Sequence, residues 1–155
     1  TYHEVRALAH RKNSGVYATQ GLLPAVQRLT NNTSVTHKLK VELTQFGLDE
    51  RLENTFELTI FRILQELVTN VIKHANASEA NISITRHNDF ISIIVEDNGS
   101  GFDIVKMRAQ KDLDSGMGLG SVEKRVLHLK GTFELESKPG KGTQVLIDIP
   151  FKRTG

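Results

Sequence analysis

The stretch from about Glu53 to Ala75 constrains the fold more than any other part of the chain. Phe61, Leu64, Val68, Val71 and Ala75 recur in it at three- and four-residue spacing, with no glycine or proline to interrupt them. Such a run is too long for a strand and reads as one amphipathic helix. A helix of that length needs an apolar surface to cover, and alternating segments on both sides supply one. Leu39, Val41 and Leu43 alternate with Lys40, Glu42 and Thr44 before it. After it Ala80, Ile82 and Ile84 alternate with polar neighbours, His87-Asn88-Asp89 make a turn, and Ile91, Ile93 and Val95 alternate again. Two further strands, Thr132 to Ser137 and Gln144 to Pro150, are joined by Lys138-Pro139-Gly140-Lys141-Gly142.

The remaining segments are shorter. Leu22, Leu23, Val26 and Leu29 predict a helix that the pair Asn31-Asn32 should break. A polar, glycine-rich stretch from Asn98 to Gly120 encloses a short charged helix around Ile104 to Lys111 and is expected to act as a mobile lid. Ser121 is placed to cap a helix with Val122, Val126 and Leu129 facing inward, and Gly131 to end it. Tyr2 to Ser14 reads as another amphipathic helix; it begins without capping residues, as if inside a longer element. Five strands and at least three helices predict an α/β (α+β) two-layer sandwich, in which the helices and the sheet bury each other's apolar faces.

Composition excludes several chemistries. The 155 residues suit one domain with a short appendage. Twenty basic residues against 18 acidic ones give a net charge of +2, too balanced for a nucleic-acid surface, so no nucleic-acid partner is expected. Without cysteine there is no disulfide framework, thiolate metal site or cysteine nucleophile. No apolar run approaches the roughly 18 residues of a membrane span.

The long helix carries a polar stripe. With Glu66 at zero on a wheel of about 100° per residue, Asn70 falls near +40°, Lys73 near −20° and His74 near +80°, all on one face. A solvated charged face would look the same. Asparagine is, however, a poor mid-helix residue, and an acid, an amide and bases within two turns make a compact set of oxygen and cation ligands. Oxygens of this kind suit magnesium, while lysine and histidine suit phosphate.

Three glycine boxes follow. Asp97-Asn98-Gly99-Ser100-Gly101-Phe102 comes straight off a strand. It is either a plain turn or a pocket floor, where a carboxylate accepts a hydrogen bond from an exocyclic amine such as adenine's. Gly116-Met117-Gly118-Leu119-Gly120-Ser121 precedes a helix, so its backbone N–H groups could face a phosphate, unless it is only a flexible loop. Its sixth position is serine and no strand precedes it, which excludes the dinucleotide fingerprint; Gly142-Thr143 breaks the order required of a Walker loop. Gly140-Lys141-Gly142-Thr143 opens the last strand; the Thr143 hydroxyl could support Asp97 through a water, or the box could be a simple hairpin turn.

In order, Glu66 to Ala75, Asp97 to Phe102, Gly116 to Gly120 and Gly140 to Thr143 resemble the N, G1, G2 and terminal glycine boxes of the GHKL ATPase superfamily. The likeness covers roughly Leu22 to Phe151. Asn70 followed by Lys73, His74 and Ala75 is most similar to sensor histidine kinases of the subfamily related to nitrate sensors and the membrane-fluidity thermosensor. The resemblance implies a Bergerat fold, with a mixed, largely antiparallel five-stranded sheet on about three helices, that binds ATP and Mg2+. Asn70 would coordinate magnesium with Glu66 beside it, acting on a metal-bound water or in proton transfer. Lys73 and His74 would meet phosphates, Asp97 would read the adenine amine, and Gly99 and Gly101 would shape the base pocket. Gly116, Gly118, Leu119 and Gly120 would close over the nucleotide, and Thr143 would support Asp97. It implies transfer of the γ-phosphoryl group to a histidine on a dimerisation domain, relay to a response regulator, a homodimeric full-length protein with a monomeric isolated domain, and a cytoplasmic domain whose parent can be anchored in the inner membrane.

One departure stands out. His3-Glu4 fits a phosphoacceptor only superficially, since it sits too near Asn70 and lacks the residues that follow the acceptor in the subfamily. Residues 1–15 are therefore expected to be the tail of the second dimerisation helix and residues 16–155 the catalytic domain, with no phosphoacceptor in the chain. Two rival readings share the boxes: an anti-sigma-type kinase acting on serine, against which the leading helix argues, and an ATPase that hydrolyses ATP to drive conformational change, which needs segments not found here.

Overall fold

The computed structural model describes residues 21–109 and 119–151. In chain order these form α1 (Leu22–His37), β1 (Lys40–Phe46), α2 (Asn54–Asn70), a π-helical turn (Val71–Ala75), β2 (Glu79–Arg86), β3 (Phe90–Asp97), α3 (Ile104–Ala109), α4 (Leu119–His128), β4 (Thr132–Ser137) and β5 (Thr143–Pro150). The strands make one sheet in the order β1-β2-β3-β5-β4. β1 runs parallel to β2 and the other three pairings are antiparallel. A parallel pair needs a long crossover, and α2 with its π turn provides it.

The sheet has one apolar face, as the alternation predicts. Ile82, Ile84, Ile91, Ile93, Val95, Val145, Ile147 and Ile149 are buried in one core with Leu22 and Val26 of α1, Ile60, Ile63, Leu64 and Leu67 of α2, and Val122 and Val126 of α4. Each fully buried side chain of this size contributes about 1.5–3 kcal/mol, so the helix layer is held mainly by this face. The expected two-layer sandwich is the observed architecture. Among the described residues, Glu57 is the buried charged side chain. It is 1% exposed and paired with Arg51 at 3.0 Å, and the N–H of Leu52 donates to it at 3.1 Å, which ties the loop after β1 to the first turn of α2.

The helices depart from the sequence expectation in three places. Asn31 and Asn32 do not break α1, which continues to His37. Asparagine lowers helix propensity by tenths of a kcal/mol rather than removing a hydrogen bond as proline does. Thr30 and Thr33 also stay inside, donating their hydroxyls to the carbonyls of Gln27 and Leu29 at 2.9 and 2.8 Å. At the other end of the helix layer, Ser121 is not a cap, because α4 already begins at Leu119. Its stop is a Schellman arrangement in which Lys130, rather than Gly131, takes the left-handed conformation (φ 64°). The N–H of Gly131 then reaches Val126 O and that of Lys130 reaches Leu127 O, both at 2.9 Å. Third, the long helix is α-helical only to Asn70; the last five residues widen into the π turn. Tyr2 to Ser14, and with it the proposed boundary at residue 15, lies outside the described residues.

Candidate functional site

The register of the sheet builds one end of the site. Asp97 closes β3 on the helix-facing side, opposite Ala80 on β2 and Thr143 on β5, and Thr143 in turn lies opposite Ser137 on β4. Burial raises the Asp97 carboxyl above its ordinary value of 3.8, and the backbone N–H groups of Gly99 and Thr143 work against that rise. The Gly99 N–H donates to Oδ1 at 2.8 Å. Thr143 thus meets Asp97 through its backbone. Its hydroxyl is 2.9 Å from the hydroxyl of Ser137, whose own proton goes to Gly142 O at 3.0 Å. Thr143 is therefore the donor of that pair, which leaves its oxygen free to accept.

The loop after Asp97 is held from both sides. Asn98 Oδ1 accepts the N–H groups of Ser78 and Glu79 at 2.9 and 3.0 Å, fixing the start of β2. The N–H of Ser100 donates to Ala75 O at 2.7 Å, and that of Gly140 to Ser100 O at 2.6 Å. Side chains do not fit here. A Cβ on Gly99 would sit 2.0 Å from Ala75 O, and one on Gly101 (φ +66°) 2.1 Å from Lys138 O. Beside Asp97 a cavity of about 600 Å3 opens toward α3 and the β4–β5 turn, with Ile104 and Leu135 as apolar wall and Lys138 and Lys141 at its rim. Neither Glu66 nor Asn70 lines it.

Those two residues form a separate centre one turn apart on α2. Asn70 is 9% exposed, and its Oδ1 is buried without a hydrogen-bond partner. Glu66 accepts Arg125 Nη1 on Oε1 at 3.2 Å, while its Oε2 is buried and unpartnered. Two orphaned oxygens this close are what a hard cation with retained waters requires, so the residues present fit magnesium. Lys73 is exposed on the π turn. A π turn holds more residues per turn than the wheel assumes, so the angles read from the wheel do not carry over beyond Asn70. The side chain of His74 lies outside the described residues, as do Gly116 and Gly118. Leu119 and Gly120 are the buried first residues of α4.

The sequence of residues 55–153 matches the model of the histidine kinase-, DNA gyrase B- and HSP90-like ATPase family. The chain belongs to this family. Among relatives of this ATPase domain, it is 33% identical over 134 residues to the signal transduction histidine-protein kinase/phosphatase DegS of Bacillus subtilis, covering 84% of the chain and 34% of DegS. It is 28% identical over 105 residues to the sensor protein VraS of Staphylococcus haemolyticus, covering 68% of the chain and 29% of VraS. The chain thus spans about a third of the length of these relatives. In fold it is similar to the histidine kinase AdeS of Acinetobacter baumannii, with TM-score 0.64, 22% identity, and coverage of 98% of this chain and 82% of that one. A histidine kinase domain from Erythrobacter litoralis gives TM-score 0.62 at 20% identity, covering 81% and 58%.

Sequence reasoning passed over three polar residues of this ATPase domain. Asn98 and Ser137 read as ordinary turn and strand-end residues, yet Asn98 fixes β2 and Ser137 joins Gly142, Thr143 and the N–H of Phe102. Arg125 offered no signal, since its partner Glu66 lies 59 positions away.

Proposed function

We propose that the chain binds Mg-ATP and that the full protein transfers the γ-phosphoryl group to a histidine on its dimerisation domain, for relay to a response regulator. The observation that carries the reading is the pair of buried, unpartnered oxygens, Glu66 Oε2 and Asn70 Oδ1, in a chain of this ATPase family. Asn70 supplies a magnesium ligand, and Glu66 orders water or takes up a proton beside it. Magnesium, when bound, supplies neutralisation of charge on the phosphoryl oxygens. Lys73, His74, Gly116, Gly118, Leu119 and Gly120 serve the phosphates, while Asp97, with Gly99, Gly101 and Thr143 around it, receives the adenine. The sensor-kinase relatives support a dimerising acceptor domain and a response regulator as partners. Among the described residues no helix is long and apolar enough to cross a membrane. Anchoring of a dimeric parent in the inner membrane, with this domain cytoplasmic, belongs to the same proposal.

Calorimetry with ATP, in magnesium and in chelator, tests the metal role. Affinity should be higher with magnesium, and equal affinity would remove Asn70 as a ligand. Because positioning of the acceptor supplies most of the rate in phosphoryl transfer, the chain alone should turn over ATP very slowly. Adding a fragment that carries the acceptor histidine should yield acid-labile phosphoprotein; phosphoserine on another partner would favour the serine-kinase reading.

A further inference from the structure

Arg125 lies on α4, whose first residues Leu119 and Gly120 are nucleotide-binding positions in the proposed function. Its Nη1 reaches across to α2 and holds Oε1 of Glu66 at 3.2 Å. The two side chains are 36% and 34% exposed. An ion pair so open to water contributes little to stability, so its consequence is geometric. A carboxylate that rotates freely offers its oxygens in many directions. One pinned at Oε1 by a planar guanidinium presents the other in a fixed direction, and here that other oxygen is the buried, unpartnered Oε2, one turn from the equally unpartnered Asn70 Oδ1.

We infer that Arg125 is a positioning residue. By fixing Oε1 it aims Oε2 at the place where the magnesium-nucleotide complex is received, and it links α4 to the acidic group of α2. This rests on the reading of Glu66 and Asn70 as the metal end of the site. Partners that orient a metal-site group in this way act on metal affinity by roughly tenfold to a hundredfold.

The test compares ATP affinity by calorimetry in magnesium and in chelator, for the wild type, Arg125→Met, Arg125→Lys, Glu66→Gln and the double variant Glu66→Gln/Arg125→Met. Methionine keeps much of the aliphatic stem and removes the fork. Arg125→Met should lose roughly tenfold of the magnesium-dependent gain, at the lower end of that range, while its affinity in chelator stays the same. Arg125→Lys should recover part of the gain, and the double variant should match Glu66→Gln alone, because the arginine acts only through the carboxylate. Mere loss of stability would weaken binding in both conditions alike and leave the ratio untouched. If the wild type gains affinity with magnesium and Arg125→Met keeps all of that gain, the positioning role is overturned on its own. If the wild type gains nothing, the metal reading fails and the role of Arg125 falls with it.

Discussion

Around Asp97 the chain satisfies its own polar groups: two backbone N–H donors on the carboxylate, a hydroxyl pair between Ser137 and Thr143, and Asn98 bonded to Ser78 and Glu79. On α2 the opposite holds, and two buried oxygens, Glu66 Oε2 and Asn70 Oδ1, face no partner. Buried polar atoms left unpaired are costly, so folds keep them mainly where a ligand completes them. Under the proposed function, the contrast is between a base-reading end that is preorganised in the free protein and a metal end that is finished by what binds. Changes at the first should act on the fold and on base choice, and changes at the second on the metal dependence of binding.

The largest effect is expected where the preorganised end leaves no room. Gly101→Ala would add a Cβ 2.1 Å from Lys138 O in a left-handed conformation, so the loop must move away from the β4–β5 turn. A loss of about 2–4 kcal/mol of stability, read from denaturant unfolding, together with loss of ATP binding, follows from clash plus strain. Gly140→Ala separates the two causes. It has φ +80° but nothing within 4 Å, so only strain applies, about 1–2 kcal/mol, and ATP binding should survive. Equal damage from both variants would mean that the close packing around Asp97 is not what holds this end together.

Much of this was legible in the sequence because its signals are local. The alternation of Ile91, Ile93 and Val95 leads directly to Asp97 on the same face, and the glycine at position 99 stands where a carbonyl presses close. The periodicity of Glu53 to Ala75 placed Glu66 and Asn70 on one helix. What escaped depends on distance or on small energy differences. Arg125 meets Glu66 only through tertiary packing. Asn31 and Asn32 carry a weak helix penalty that the burial of Leu22, Ala25 and Val26 overrides. The π turn at Val71–Ala75 widens the helix, and its last carbonyl, Ala75 O, receives the Ser100 N–H; no local periodicity announces it.

A smaller effect, confined to binding, is expected from Asp97→Asn. A carboxylate only accepts hydrogen bonds, so it pairs with the amine of adenine and opposes the carbonyl of guanine. ATP should therefore bind better than GTP. A charge-assisted bond of about 1.5–3 kcal/mol corresponds to a weakening of roughly tenfold to a hundredfold or more for ATP in Asp97→Asn, with the unfolding midpoint little changed. Asn70→Asp is the matching change at the other end. It should alter the magnesium dependence and spare the ATP-to-GTP ratio; if it moves that ratio and Asp97→Asn does not, the roles of the two ends are reversed.

The most modest effect concerns pH and follows from the direction in which burial moves Asp97. Its carboxyl is raised above 3.8, desolvation outweighing the two backbone donors. The ionised form makes the charge-assisted bond to the adenine amine, so that part of the affinity is complete above the raised value and is lost as pH falls through it. The loss begins at a higher pH than an ordinary aspartate would give, and it is limited to about tenfold per pH unit because one proton is involved. The nucleotide's phosphates titrate too, so the useful quantity is the ratio of wild-type to Asp97→Asn affinity for ATP, in which that contribution cancels. The ratio should shrink toward one as the solution is acidified, losing half of its excess at a pH above 3.8. A ratio that loses half of its excess only at the ordinary value of 3.8 would mean that Asp97 is as solvated as a surface carboxylate, and the preorganised end would lose the desolvation that sets it apart from the metal end.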